Sequence, residues 1–126
     1  VKEFASGVSR NGRLVAVYLH GDQPKVRVLE LASQEQRRVL DSLAGLQGTF
    51  RPTSLAITNE GDTLFLGDVT GKVHIWNLET GQEKLVFQAH PGKVSAMVLS
   101  VDGKQLFTAG NGVIGVWDSL GRTQIP

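Results

Sequence analysis

The chain has 126 residues, a hydrophobic fraction of 40%, 6% aromatics and no cysteine. Its 13 basic and 12 acidic residues leave a net charge of +1, which makes no electrostatic case for nucleic acid or an anionic membrane as partner. The lack of cysteine excludes disulfides, thiolate zinc sites and thiol catalysis, and no apolar run approaches the roughly 20 residues of a transmembrane helix.

Taken in order, the chain is a succession of short apolar runs separated by Gly, Asn or Asp turns. The first unit holds FASGVSRNG (4–12), RLVAVY from Arg13, KVRVLE from Lys25 and a polar run, QRRVLDS, from Gln36. Its link at 19–24 is long, with Pro24 opening the next strand, where a missing N–H is tolerated. QEQRRVLDSLAGL also reads as a short helix with Val39, Leu40 and Leu43 on one face. The stretch 43–51 is a connecting loop. The second unit holds TSLAITNEG (53–61), TLFLGD from Thr63, KVHIWN from Lys72 and QEKLVFQ from Gln82. The third holds SAMVLSVDG (95–103), QLFTAG from Gln105, VIGVWD from Val113 and a truncated RTQIP from Arg122.

Two landmarks recur at nearly one period. Trp76-Asn77 and Trp117-Asp118 lie 41 residues apart, and Gly61 and Gly103 lie 42 apart. A period near 42 predicts a four-stranded repeat, and three such units fill the chain, with boundaries near 1–48, 49–89 and 90–126. Counting from the turn glycines sets Val8, Ile57 and Leu99 level, then Ser9, Thr58 and Ser100; the starts of the second runs at Arg13, Thr63 and Gln105 place Leu14, Leu64 and Leu106 in register. Alternation in the third runs places Val26 and Val28, Val73 and Ile75, and Ile114 and Val116 on one side. Leu29, Trp76 and Trp117 fall on the other. Apolar groups on both faces predict sheets covered on both faces.

These residues resemble the WD-repeat family of β-propellers. The third unit carries the resemblance best: Ala89-His90 for the family's Gly-His, Ser100-Val101-Asp102-Gly103 for its turn, Thr108 for its strand serine, Asn111-Gly112 for Asp-Gly and Trp117-Asp118 for its signature pair. The second unit keeps Trp76 but has Asn77 after it and Thr70 at the turn position. The first has Leu29-Glu30. The resemblance implies an all-β fold of propeller blades, each of four antiparallel strands, with the ring closed by further blades or by oligomerisation. It also implies a structural network of His90, Thr108, Asn111 and Trp117, joined by Trp76 and Asp118 at the blade signatures. Asn111, uncharged where Asp is usual, implies a neutral form of that network.

No catalytic, metal or cofactor site is expected. His90 has a hydroxyl partner in Thr108 but no carboxylate to complete a triad. His20 and His74 read as surface or blade-face residues, and no His-x-x-x-His spacing points to a metal. Gly110-Asn111-Gly112-Val113-Ile114-Gly115 is a literal GxGxxG, but it leads into a strand-like run rather than a helix, so a hairpin is expected. The first runs offer Ala5, Ser6, Ser54, Ala56, Ala96 and Val98, none of them a ligand for a propeller-channel metal.

Three units leave two apolar end faces open, and a propeller ring holds four to eight blades. The chain is therefore expected to be part of a longer propeller or to close a ring as a dimer or trimer. Val rather than Met at position 1 fits an excised or processed piece. By resemblance the function is a non-enzymatic scaffold for protein partners, with His20, Arg51, Asp68 and Lys93 on the loop face that meets them. The alternative is a structural or engineered self-assembling propeller piece, and a propeller enzyme is the weaker third reading. A cytoplasmic or other intracellular location is expected.

Overall fold

The computed structural model describes residues 2–20, 25–32, 36–40 and 52–118. Among these, the first sheet has four antiparallel strands in sequence order: β1 (Lys2–Val8), β2 (Leu14–His20), β3 (Lys25–Glu30) and β4 (Gln36–Leu40). The middle sheet repeats the arrangement with β5 (Pro52–Ile57), β6 (Thr63–Asp68), β7 (Lys72–Asn77) and β8 (Gln82–Gln88). The last has three, β9 (Ala96–Leu99), β10 (Gln105–Gly110) and β11 (Val113–Asp118). No described residue is helical, and Gln36–Leu40 is a strand, against the alternative helical reading of that segment. The expected fourth run at 122–126 and the loop at 43–51 lie outside the described residues.

The three β-hairpins that join first and second strands share one turn. Ser9, Thr58 and Ser100 each donate the backbone N–H five residues on, to the carbonyls of Leu14, Thr63 and Gln105. The carbonyls of Ser9, Thr58 and Ser100 accept in turn from the N–H of Gly12, Gly61 and Gly103, whose φ of 75°, 76° and 73° a side chain would disfavour. This geometry corrects the sequence register by one residue. Val8 pairs with Val15, Ile57 with Leu64 and Leu99 with Leu106, so Val15, not Leu14, is the counterpart of the two leucines. Because side chains alternate, a one-residue slip moves a residue to the opposite face.

The sheets stack. One core lies between first and middle sheets, where Ala16, Tyr18, Val26 and Val28 meet Leu55, Ile57, Leu64, Leu66 and Trp76. A second lies between middle and last sheets, where Ala56, Phe65, Val73 and Ile75 meet Val94, Leu99 and Leu106, with Met97 and Trp117 half-buried against them. The middle sheet is therefore covered fore and aft. Phe65, between Leu64 and Leu66, points the other way, and all three are buried. The Phe87 and Trp117 rings, 4.7 Å apart and tilted by 52°, close the second core toward the outer strand β8. The first strands come nearest one another between sheets: β1 lies beside β5 and β5 beside β9. β8 is the most exposed strand of its sheet, with Gln82, Glu83 and Lys84 in solvent. Polar residues on this outer edge discourage pairing with another chain.

Candidate functional site

The loops that follow β6, β8 and β10 gather at one end of the middle and last sheets. Asp68, the last residue of β6, organises this end. Its Oδ1 accepts from the Thr70 hydroxyl at 2.6 Å, the Thr70 N–H at 2.9 Å and the Lys72 N–H at 3.0 Å, which fixes the β6–β7 turn. Its Oδ2 lies 2.8 Å from His74 Nε2, and His74 Nδ1 lies 2.9 Å from Glu83 Oε2 on β8. The imidazole thus bridges two carboxylates across three neighbouring strands. Burial pushes the Asp68 carboxyl up, but the hydrogen bonds from Thr70, His74 and the Lys72 backbone overrule it and hold the group below its ordinary value of 3.8.

The same turn is tied to the incoming loop of the last sheet. Gly71 takes φ 92°, and a Cβ there would fall on the His90 carbonyl oxygen, so glycine is required. The Gly71 carbonyl accepts the N–H groups of Ala89 and His90, the Asp68 carbonyl accepts from Val94, and Gln88 Nε2 donates to the carbonyls of Thr70 and His90 at 2.7 Å. Above this knitted backbone, Val69, Thr70, Lys72, Pro91, Lys93 and Asn111 are exposed.

His90 reaches across to the last sheet. Its Nε2 lies 2.8 Å from the Thr108 hydroxyl, which also accepts the Trp117 indole N–H at 2.9 Å. Thr108 is 1% exposed, so no substrate reaches it. Asn111 stands outside this cluster: it is exposed, at φ 56°, and no hydrogen bond among the described residues joins it to His90. Its place is the tight β10–β11 turn, where Asn tolerates the left-handed conformation, and the GxGxxG string is thus a hairpin. Trp76 is 2% exposed, and its indole N–H has no partner among the described residues. The cause is local: by register Leu66 stands on β6 where Thr108 stands on β10, so the acceptor is missing. Asp118 ends β11 opposite Gln105.

Of the four residues assigned to a partner-facing surface, Lys93 is exposed. Asp68 is not: at 5% exposure its carboxylate is spent on the turn and on His74. His20 ends β2, and Arg51 lies outside the described residues. Sequence reasoning missed the Asp68–His74–Glu83 arrangement. The available signal was Asp-x-Thr at a turn, a pattern that favours side-chain capping of the backbone. The Thr70 hydroxyl donates to the carboxylate, not to the imidazole, which is the reverse of a nucleophile–base–acid triad. Among the described residues, no group of three or more His, Cys, Asp or Glu is arranged to hold a metal.

Comparison with known proteins places these features. Residues 81–118 match the family described as WD domain, G-beta repeat. The matched stretch runs from β8 through β11, so the family unit takes the outer strand of one sheet and three strands of the next. The chain is also similar to a protein of Arabidopsis thaliana named U3 snoRNP-associated protein-like EMB2271, at 30% identity over 73 residues. That match covers 57% of this chain and 15% of the relative. Among the described residues, no helix is long and apolar enough to cross a membrane.

Proposed function

We propose that this WD-repeat chain is a non-enzymatic scaffold that presents the loop end of its stacked sheets to protein partners. The observation that carries the reading is the contrast at that end between backbone and side chains. The backbone from Asp68 to Val94 is held by hydrogen bonds from Asp68, Gly71 and Gln88, while Val69, Thr70, Pro91 and Lys93 project into solvent. A rigid frame with exposed, chemically mixed side chains binds with little ordering cost. Three repeat units, near 1–48, 49–89 and 90–126, form the frame, and Arg51 and His20 are assigned to the contact set by their positions in the sequence repeat.

The name of the Arabidopsis relative attaches it to a ribonucleoprotein, and a protein-binding role within such an assembly fits a chain with balanced charge. An intracellular location fits the lack of cysteine. The test is affinity capture from cells of the source organism with the wild-type chain and with Val69→Arg and Lys93→Glu variants. Partners lost on both variants, with unchanged thermal unfolding, support the loop-end surface. The same partners retained on both would reject it.

A further inference from the structure

Asn or Asp stands directly before Gly at Asn11-Gly12, Asp102-Gly103 and Asn111-Gly112. In such a pair the glycine nitrogen lies within reach of the side-chain carbonyl carbon before it, and no Cβ on the glycine blocks the approach. Asn11 and Asn111 are both exposed, so access of water does not separate them. Hydrogen bonding does. Asn11 is held at the atoms such an attack would use. Its Oδ1 accepts from the Ser9 hydroxyl at 2.8 Å and from the Arg13 N–H at 3.0 Å, and its own N–H donates to Asn59 Oδ1 at 2.9 Å. The attacking nitrogen, that of Gly12, donates to the Ser9 carbonyl at 2.8 Å. Asp102 is held in the same way. Its Oδ1 accepts from the Ser100 hydroxyl at 2.6 Å and the Lys104 N–H at 3.0 Å, while the Gly103 N–H donates to the Ser100 carbonyl at 2.9 Å. Asn111 has none of these restraints. Among the described residues neither its side chain nor the Gly112 N–H makes a hydrogen bond. A Cβ built on Gly112 would meet nothing within 4 Å, so this turn has room to move.

We propose that Asn111 is a site of spontaneous deamidation, selected over Asn11 by the fold. The Gly112 nitrogen gives up its proton to hydroxide and attacks Asn111 Cγ. The Cγ–Nδ2 bond breaks, and ammonia leaves with a proton taken from water, closing a succinimide ring. Water then opens that ring at either carbonyl. Opening at Cγ gives Asp with the backbone intact. Opening at the α-carbonyl gives isoaspartate, with the chain rerouted through the side chain. The net change is water in and ammonia out, with nothing oxidised or reduced. Either product puts a carboxylate at the β10–β11 turn and takes the chain's net charge of +1 to neutral. Asn111 Oδ1 already lies over the 90–93 loop, 3.8 Å from where a Gly92 Cβ would stand. The new charge thus falls on the loop end assigned above to partners, although the chemistry does not depend on that assignment.

The test is peptide mapping by mass spectrometry of the full chain, incubated at mildly alkaline pH with and without urea, with ammonia release followed in parallel. In the folded chain Asn111 is expected to convert at least about tenfold faster than Asn11, because several hydrogen bonds must open first at Asn11. In urea those bonds are gone from both sites, and the two rates are expected to converge. Asn111→Gln is expected to abolish the fast ammonia release of the folded chain, and Asn11→Gln to leave it. Equal rates at the two residues in the folded chain overturn the proposal. An Asn111 that reacts only once the chain is unfolded overturns it as well.

Discussion

Replacing Asp68 tests how the loop end is built. The carboxylate accepts three hydrogen bonds on one oxygen and faces His74 with the other, at 2.6 to 3.0 Å, and its residue is 5% exposed. Removing one partner of a buried pair costs about 3–5 kcal/mol, because the other is left uncompensated. Here Glu83 still faces His74 on the far ring nitrogen, so Asp68→Ala is expected at the lower end, about 3 kcal/mol. In a chain of this size that is a fall in Tm of about 10 °C. Asp68→Asn keeps an oxygen for the turn and is expected to cost about 1–2 kcal/mol. The pH dependence separates a charged role from a merely polar one. The folded carboxyl sits below its ordinary value of 3.8, so its contribution is complete above that value and is lost as pH falls through the lower, folded one. The stability gap between wild type and Asp68→Asn, measured by urea unfolding, should therefore be full at neutral pH and shrink as the pH drops below 3.8. A gap of under about 0.5 kcal/mol for Asp68→Ala, or one that does not change with acid, would refute the reasoning.

Two further outcomes follow from the same geometry. Thr108→Val removes the hydroxyl shared by His90 and Trp117 and leaves a nitrogen of buried His90 and one of half-buried Trp117 without it, an expected loss of about 1–3 kcal/mol in urea unfolding; a loss below about 0.5 kcal/mol would dismiss the cluster as a stabilising one. Gly71→Ala forces a Cβ onto the His90 carbonyl at φ 92°, and is expected to cost about 1–3 kcal/mol and to raise amide exchange at Ala89 and His90, whereas an unchanged Tm would show that the turn rearranges freely.

Much of the fold was legible because turns and strands write their own signals. The runs from Lys25, Gln36, Thr63, Lys72, Gln82, Gln105 and Val113 each begin a strand. The hydroxyl residues Ser9, Thr58 and Ser100 mark one turn three times. What failed was what depends on counting or on a neighbour. Leu14 looked level with Leu64 because both follow a glycine turn into an apolar run, yet the hydrogen-bonded ladder starts one residue further on. Asp68 looked like a surface residue because it ends a strand, and only the turn that folds back over it reveals that it is buried. The unpartnered indole of Trp76 is a consequence of Leu66 on the adjacent strand, a relation that register supplies and sequence spacing does not.

Phe65 and Phe107 are the same residue at the same position of successive sheets, one facing the last sheet and buried at 1%, the other facing outward. Chemical unfolding of Phe65→Ala and Phe107→Ala, at concentrations where the chain is monomeric, tests the stacked arrangement most directly. The account predicts a loss of about 3–5 kcal/mol for Phe65→Ala and about 1 kcal/mol or less for Phe107→Ala. Equal losses at the two positions would contradict it.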